Sequence, residues 1–321
     1  MRISLVIPCY NEEKNIRPMF EAVKKAFCGL SYEMVFVDDG SKDKTLDELK
    51  KLIKQRNAEV QALVFSRNFG KDAAIYAGLK AAKGDFVTLI DADLQQDPAI
   101  ARQMVNILEK SPEYDVVCAY QSQRRESFVL RLFKHLFYKI INQNAEVNFV
   151  DGASDFRTLR RNAVEALLRM TEYHRFSKGL FSWIGFPTKY LPYEAKERNA
   201  GTTKWNFCKL FRYAMEGLIS FTTLPLRAVR NSGLVIALLA FLYAIVVMIQ
   251  KLAFGIAVSG YATIVILILL LGGLNLFGQG VMGEYLSRIY IQAKNRPIYI
   301  LKSVWTNEEA ENPEKPQNPQ R

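Results

Sequence analysis

Asp91 and Asp93 stand two residues apart, directly after the apolar run Phe86 to Ile90. At the end of an extended strand this spacing turns both carboxylates to the same side. Two hard oxygen ligands facing one point suit Mg2+ or Mn2+, which take one or two carboxylates and fill their remaining positions with water and substrate phosphates. Gln95, another two residues on, adds an amide oxygen that can reach the same ion directly or through water. An acidic turn after a strand is common in solvated loops, so the metal reading depends on its setting. Two further segments supply that setting. Pro8-Cys9-Tyr10-Asn11-Glu12-Glu13 offers a rigid proline, an aromatic face and carboxylates on which a base or ribose can rest. Asp38-Asp39-Gly40-Ser41 brings a second carboxylate pair, one member of which can accept a hydrogen bond from a base N–H. Capping of the following helix by Ser41 or Asp43 is compatible with that role.

The elements that must position these groups follow from hydrophobic periodicity. Short β-rich runs at Ile3 to Ile7, Met34 to Val37, Ala62 to Phe65, Phe86 to Ile90 and Val116 to Ala119 alternate with helical segments, the rhythm of an α/β fold with a mainly parallel sheet. Ile16, Met19, Phe20, Val23 and Phe27 mark one amphipathic face, and Leu46, Leu49, Leu52 and Ile53 mark another. In open α/β sheets ligands bind beyond the carboxyl ends of the strands. Pro8 to Glu12, Asp38 to Ser41 and Asp91 to Gln95 all fall there, so three strand ends are expected to converge on one crevice. No GxGxxG follows the first strand and no GxxxxGK[ST] occurs, which disfavours a nicotinamide enzyme or a P-loop NTPase.

With 321 residues, half of them apolar, the chain can hold one sizeable soluble domain and a membrane part. Its formal charge of +11 favours anionic partners; nucleic acid is set aside because no reader motif is present. Cys9, Cys28, Cys118 and Cys208 are widely spaced, the pattern of reduced thiols rather than of a zinc site or a disulfide framework. Ser232 to Gln250 and Ala262 to Met282 are two long apolar runs, each near the ~20 residues needed to span a bilayer. Arg227 and Arg230 precede the first, Arg288, Lys294 and Arg296 follow the second, and only Lys251 lies between. Two transmembrane helices with both large flanks on the cytoplasmic side are therefore expected. From Asn206 to Leu224, apolar residues recur at helical spacing opposite Lys209, Arg212 and Glu216. This segment reads as a membrane-interface helix, the alternative being a helix packed on the soluble domain. The polar tail after Trp305 reads as disordered. The expected divisions are a cytoplasmic domain over 1–205, an interface segment over 206–230, a two-helix membrane region over 231–285, a cytoplasmic segment over 286–305 and a tail over 306–321.

The strings PCYNEE, VDDGS, RNFGK and DADLQQDP, in this order and spacing, resemble the family 2 glycosyltransferases, specifically the polyprenyl-phosphate glycosyltransferases. Within these the chain resembles the bactoprenol glucosyltransferase branch, with dolichol-phosphate mannose synthase a more distant relative. The resemblance runs from Ile3 to about Tyr299 and includes the segment GEYLSRIY. It implies a GT-A type, Rossmann-like nucleotide-sugar domain and a metal-dependent, inverting transfer of a hexose to a polyprenyl phosphate such as undecaprenyl phosphate. UDP-glucose is the implied donor, with mannosyl or aminoarabinose-type transfer as alternatives on the same framework. A homo-oligomer assembled through the membrane part is also implied, although spacing does not establish it.

Position by position, the resemblance assigns Pro8, Tyr10, Glu12, Val37 and Asp39 to the nucleoside, and Asp91, Ala92, Asp93 and Gln95 to the diphosphate and metal. Arg198-Asn199-Ala200-Gly201-Thr202-Thr203-Lys204-Trp205 is similar to the family's RxxGxSKY loop, in which Arg198 and Lys204 would neutralise the departing diphosphate. Thr203 and Trp205 depart from the usual Ser and Tyr. Gln121 stands where relatives often carry arginine, leaving Arg124 or Arg125 as substitutes. Asp155 matches the position considered the base, with Asp151 a nearby rival. A phosphate monoester has a second pKa near ~6 and needs little deprotonation at neutral pH, so Asp155 is expected to orient the acceptor or take its residual proton. A catalytically silent scaffold that binds nucleotide sugars is the competing class, and the intact acidic triplet and basic loop argue against it.

Overall fold

The computed structural model of the chain describes residues 2–55, 58–121, 142–143, 153–194, 219, 221–254 and 260–307. The five apolar runs form β1 (Ile3–Cys9), β2 (Tyr32–Asp38), β3 (Glu59–Phe65), β4 (Phe86–Leu89) and β5 (Val116–Gln121). Three strands that the apolar pattern does not announce join them: β6 (Ala153–Arg160), β7 (Thr188–Tyr193) and β8 (Leu301–Thr306). Together they make one sheet of order β7-β5-β6-β4-β1-β2-β3-β8. The pairs β1–β2, β1–β4, β2–β3 and β5–β7 are parallel, and β4–β6, β5–β6 and β3–β8 are antiparallel. This is the mainly parallel α/β arrangement expected of a Rossmann-like nucleotide domain. Its central strands are covered on both faces, which is why β1 and β2 read as nearly continuous apolar runs.

In chain order the helices are α1 (Ile16–Ala26), α2 (Thr45–Gln55), α3 (Lys71–Ala81), α4 (Pro98–Lys110), α5 (Arg161–Leu168) and α6 (Ser177–Trp183). Helices α1, α2 and α4 pack on one face through Met19, Phe20, Leu49 and Met104, all fully buried. Each such side chain contributes about 1.5–3 kcal/mol. Helices α3, α5 and α6 cover the other face. The sheet-facing side of α3 is made of small residues, Ala74, Ala77 and Gly78, and a Cβ at Gly78 would lie 2.2 Å from Val6 Cγ1. Close approach of α3 to β1 therefore requires glycine there, and it brings the amino end of α3 to the carboxyl edge of the sheet.

The first apolar run lies in α7 (Leu224–Phe254) and the second in α8 (Tyr261–Ala293). Among the described residues, α7 is the one helix that meets the length and hydropathy of a bilayer crossing, over Leu224–Gln250, with a mean hydropathy of 2.7 in a window of 18 residues, none of them buried. Helix α8 is 33 residues long and exposes Ile268, Leu270, Leu276 and Phe277. Its far end is tied to residues outside it, where Gln292 accepts the Tyr173 N–H, beyond α5, at 2.9 Å and Tyr285 donates its hydroxyl to the carbonyl of Thr222, just before α7, at 3.1 Å. After α8 the chain returns to the sheet. Tyr299 stacks on Phe65 at 4.9 Å, and β8 then pairs with β3. Of the expected interface segment over 206–230, residues 206–218 and 220 lie outside the described residues and 224–230 form the start of α7. Of the expected disordered tail over 306–321, Thr306 instead closes β8 opposite Gln61, because its backbone pairs with β3, and 308–321 lie outside the described residues.

Candidate active site

Loops at the ends of β1 and β2 are tied together by side chains bonding to main chain. Asn11 N–H donates to Ser41 Oγ at 2.9 Å, Lys42 N–H to Asn11 Oδ1 at 2.8 Å, and Glu12 N–H to Thr45 Oγ1 at 2.8 Å. Asp43 caps α2 by accepting the Thr45 N–H at 3.0 Å, while Ser41 donates its N–H to Asp38 Oδ1 at 3.0 Å. Of the two capping candidates, Asp43 holds the helix and Ser41 holds the turn. Asn11 adopts a left-handed backbone with φ of 57°, which asparagine tolerates through its short polar side chain.

Asp39, buried at the end of β2, accepts the Phe69 N–H at 2.6 Å and the Gly70 N–H at 3.0 Å. Burial pushes its carboxyl above the usual range, and the two amide bonds oppose that rise. Asp39 thereby fixes the β3–α3 connection, with Gly70 at φ 98° and Lys71 as the first residue of α3. The Lys71 ammonium lies 2.7 Å from Asp91 Oδ1 and 3.0 Å from Asp155 Oδ2. One cation thus joins the end of β4 to β6.

Asp91 is held from its other side as well. Gln96 Nε2 donates to Asp91 Oδ2 at 3.0 Å, and Gln96 Oε1 accepts the Asp91 N–H at 2.9 Å. Asp93 Oδ1 accepts the Gln95 N–H at 3.1 Å across Leu94, whose φ is 62°. A left-handed leucine is uncommon and is sustained by its surroundings at a cost of roughly 1–3 kcal/mol, the kind of strain that clusters at functional sites. The turn then closes into α4, capped by Asp97 accepting the Ala99 N–H at 2.9 Å, with Pro98 in the first turn.

These segments enclose a cleft of about 350 Å³, within the range of small-ligand sites. Its walls are Pro8, Cys9, Tyr10 and Glu12 from β1, Asp39 from β2, Asn68, Gly70, Lys71 and Ala74 around the start of α3, and Asp91, Ala92 and Asp93 after β4. Tyr10 is exposed and presents an aromatic face. Burial works against the charged forms of both Lys71 and Asp155, and the ion pairs more than offset it. Asp91 and Asp155 hold the Lys71 ammonium well above its ordinary pKa. Lys71, Lys178 and Arg157 together bring Asp155 down to about 2. Asp155 is therefore ionised at neutral pH, and a carboxylate this acidic is a weak base.

Among the described residues no group of three or more His, Cys, Asp or Glu side chains could hold a metal ion. The donor set here is two carboxylates, Asp91 and Asp93. That number fits Mg2+ or Mn2+ in sites where the substrate diphosphate and water complete the coordination. The cation already drawn to Asp91 Oδ1, the Lys71 ammonium, marks this oxygen as a place where positive charge is stabilised.

Of the residues singled out in the sequence, Pro8, Tyr10, Glu12, Asp39, Asp91, Ala92 and Asp93 share the cleft, and Asp155 reaches its rim through Lys71. Val37 is buried with its side chain in the core, and Gln95 lies beside Asp93 but outside the lining. Arg198 and Lys204, together with Arg124, Arg125 and Asp151, lie outside the described residues. Sequence reasoning assigned no role to Lys71 or Gln96. The string RNFGK after β3 contained the signal for Lys71; Gln96, inside the acidic turn, carried none beyond its position.

A profile for Glycosyl transferase family 2 matches residues 4–168. CsbB of Bacillus subtilis (strain 168) is 44% identical over 304 residues, covering 94% of this chain and 92% of that protein. A protein of Escherichia coli (strain K12) named prophage bactoprenol glucosyl transferase homolog is 39% identical over 307 residues, 95% of this chain and 99% of its own length. The SfII prophage-derived bactoprenol glucosyl transferase of Shigella flexneri is 40% identical over 306 residues, 94% of this chain and 98% of its own length.

Proposed function

As the chain belongs to glycosyl transferase family 2, we propose that it transfers glucose from UDP-glucose to the phosphate of a polyprenyl lipid, with inversion, at the cytoplasmic face of a membrane. What carries this reading is the similarity along almost the whole chain to proteins named bactoprenol glucosyl transferase. The cleft supports it, since it is lined by the aromatic face of Tyr10, the carboxylates of Glu12 and buried Asp39, and the acidic pair Asp91 and Asp93 with Lys71.

Tyr10, Glu12 and Asp39 would hold the nucleoside beside Pro8, with Val37 lending main-chain atoms only. Asp91 and Asp93, with Gln95 nearby, would hold Mg2+ or Mn2+ with the donor diphosphate. Bound there, the cation supplies Lewis-acid neutralisation of the charge that builds on the leaving UDP. Arg198 and Lys204 would add to that neutralisation. A phosphate oxygen of the lipid attacks the anomeric carbon as the bond to UDP breaks on the opposite side, so no covalent enzyme intermediate is required. The acceptor is largely dianionic at neutral pH, its second pKa being near ~6. Asp155, already ionised, suits orientation of the acceptor better than removal of its proton. Helix α7 and the second apolar run in α8 would both cross the bilayer, leaving the catalytic domain and both termini in the cytoplasm. They would hold the acceptor phosphate near the cleft and raise its effective concentration.

The test is transfer of labelled sugar to undecaprenyl phosphate by purified protein, with UDP-glucose, UDP-galactose or GDP-mannose and with Mn2+, Mg2+ or chelator. A glucosylated lipid formed from UDP-glucose and lost with chelator is expected. Turnover of another donor alone would overturn the sugar assignment, and nucleotide binding without any lipid product would overturn the enzymatic one.

A further inference from the structure

Lys71 touches carboxylates from both sides of the site. We propose that it is a positioning residue that couples donor loading to the acceptor side: its ammonium holds Asp91 and Asp155 together until a divalent cation displaces it from Asp91, after which the ammonium, still paired with Asp155, is turned to the incoming lipid phosphate and offsets its negative charge. This inference rests on Asp91 and Asp93 being the cation site.

Three observations carry it. Asp91 Oδ2 is engaged by Gln96, so Oδ1 is the oxygen turned toward the cleft, and Lys71 Nζ sits on it at 2.7 Å. A cation binding through Oδ1 competes directly with the ammonium. Asp155 Oδ2 lies 3.0 Å from the same nitrogen, so the two carboxylates, brought in by different strands, share one counter-charge. The loop leading into Lys71 is anchored by Asp39 through the Phe69 and Gly70 amides, while the Lys71 side chain is 44% exposed. The ammonium can therefore swing off Asp91 by rotation of its flexible stem, keeping Asp155 as its partner, without disturbing α3. A purely structural ion pair has the opposite consequence for metal binding, because removing the lysine would loosen the Asp91 turn and weaken the cation site.

The test is Mn2+ titration of the full-length protein in detergent without donor, with free Mn2+ read by electron paramagnetic resonance. Wild type is compared with Lys71→Met, Lys71→Gln, Lys71→Arg and Asp93→Asn. Loss of the competing charge in Lys71→Met or Lys71→Gln should tighten Mn2+ binding about tenfold, Lys71→Arg should stay near wild type, and transfer by the two neutral variants should fall mainly in kcat rather than in KM for UDP-glucose. Unchanged or weakened Mn2+ binding in the neutral variant that retains the wild-type melting profile would overturn the inference. If wild type binds Mn2+ no better than Asp93→Asn, the cation site itself is refuted and the coupling falls with it.

Discussion

Gly40 is the point where the β2 turn presses on the loop that delivers Lys71. Its φ is +68°, and a Cβ built there would lie 2.5 Å from the carbonyl carbon of Arg67 and 2.8 Å from the nitrogen of Asn68. Both contacts are to main chain, so no side-chain rotation can relieve them. A left-handed backbone costs a non-glycine residue roughly 1–2 kcal/mol, and forced overpacking adds typically 1–3 kcal/mol. Gly40→Ala should therefore destabilise the soluble domain by about 2–5 kcal/mol, or about 5–15 °C for a unit of roughly 200 residues. The displaced loop would stretch the bonds from Phe69 and Gly70 to Asp39 and carry Lys71 away from Asp91, so UDP affinity should fall as well. Gly29→Ala is the matched control, because Gly29 has φ of +79° with nothing within 4 Å. It should show only the backbone cost, about 1–2 kcal/mol, and unchanged UDP binding. The assay is thermal unfolding of both full-length variants in detergent by intrinsic fluorescence, with UDP binding by calorimetry. Equal melting temperatures for the two variants would refute the assignment of a steric contact between Gly40 and the 67–68 backbone.

Asp93→Ala should abolish sugar transfer while leaving membrane insertion unchanged, because Asp93, which accepts the Gln95 N–H, is one of the two carboxylates of the cation site; full activity on UDP-glucose would remove Asp93 from that site. Asp155 has its folded pKa lowered from 3.8 to about 2, so the folded state binds fewer protons than the unfolded one in that window. Its stabilisation is present above about pH 4 and is lost as pH falls through about 2; at about 1.4 kcal/mol per tenfold change in proton affinity it amounts to about 2 kcal/mol. Stability of Asp155→Asn should depend less steeply on pH between about 4 and 2, and parallel curves for the two proteins in urea titrations would contradict the ion pair with Lys71. Cys9 is buried and its thiol is pushed up by burial and by Asp38 and Glu12, whereas Cys28 is exposed. Brief treatment with N-ethylmaleimide at pH 7.5 followed by mass spectrometry should modify Cys28 and spare Cys9, and rapid modification of Cys9 would show that the floor of the cleft opens in solution.

The sequence was informative wherever the interaction is local. Period-two and continuous apolar runs announce β1 to β5, and the stripe from Ile16 to Phe27 announces α1, because burial selects residue types at the repeat of the backbone itself. The two apolar runs now seen in α7 and α8 were legible for the same reason, whereas Asp91 and Asp93 were legible only as residue types: β4 ends at Leu89 and both lie in the turn after it, held by Gln96 and the Gln95 amide rather than by strand alternation. Strands β6, β7 and β8 were not, since antiparallel or edge strands such as Asp155-Phe156-Arg157-Thr158 and Thr188-Lys189-Tyr190 carry polar residues that break the apolar run. Thr88 meets Thr158 across β4 and β6 at a separation of 70 residues, and no local pattern encodes that pairing. The meeting of Lys71 with both Asp91 and Asp155 belongs to the same class. It depends on β4 and β6 lying side by side, on a glycine-bearing α3 seated close to the sheet, and on Asp39 pinning the loop between β3 and α3. Residue types fixed the available charges, and the packing of distant segments fixed which of them share an ion pair.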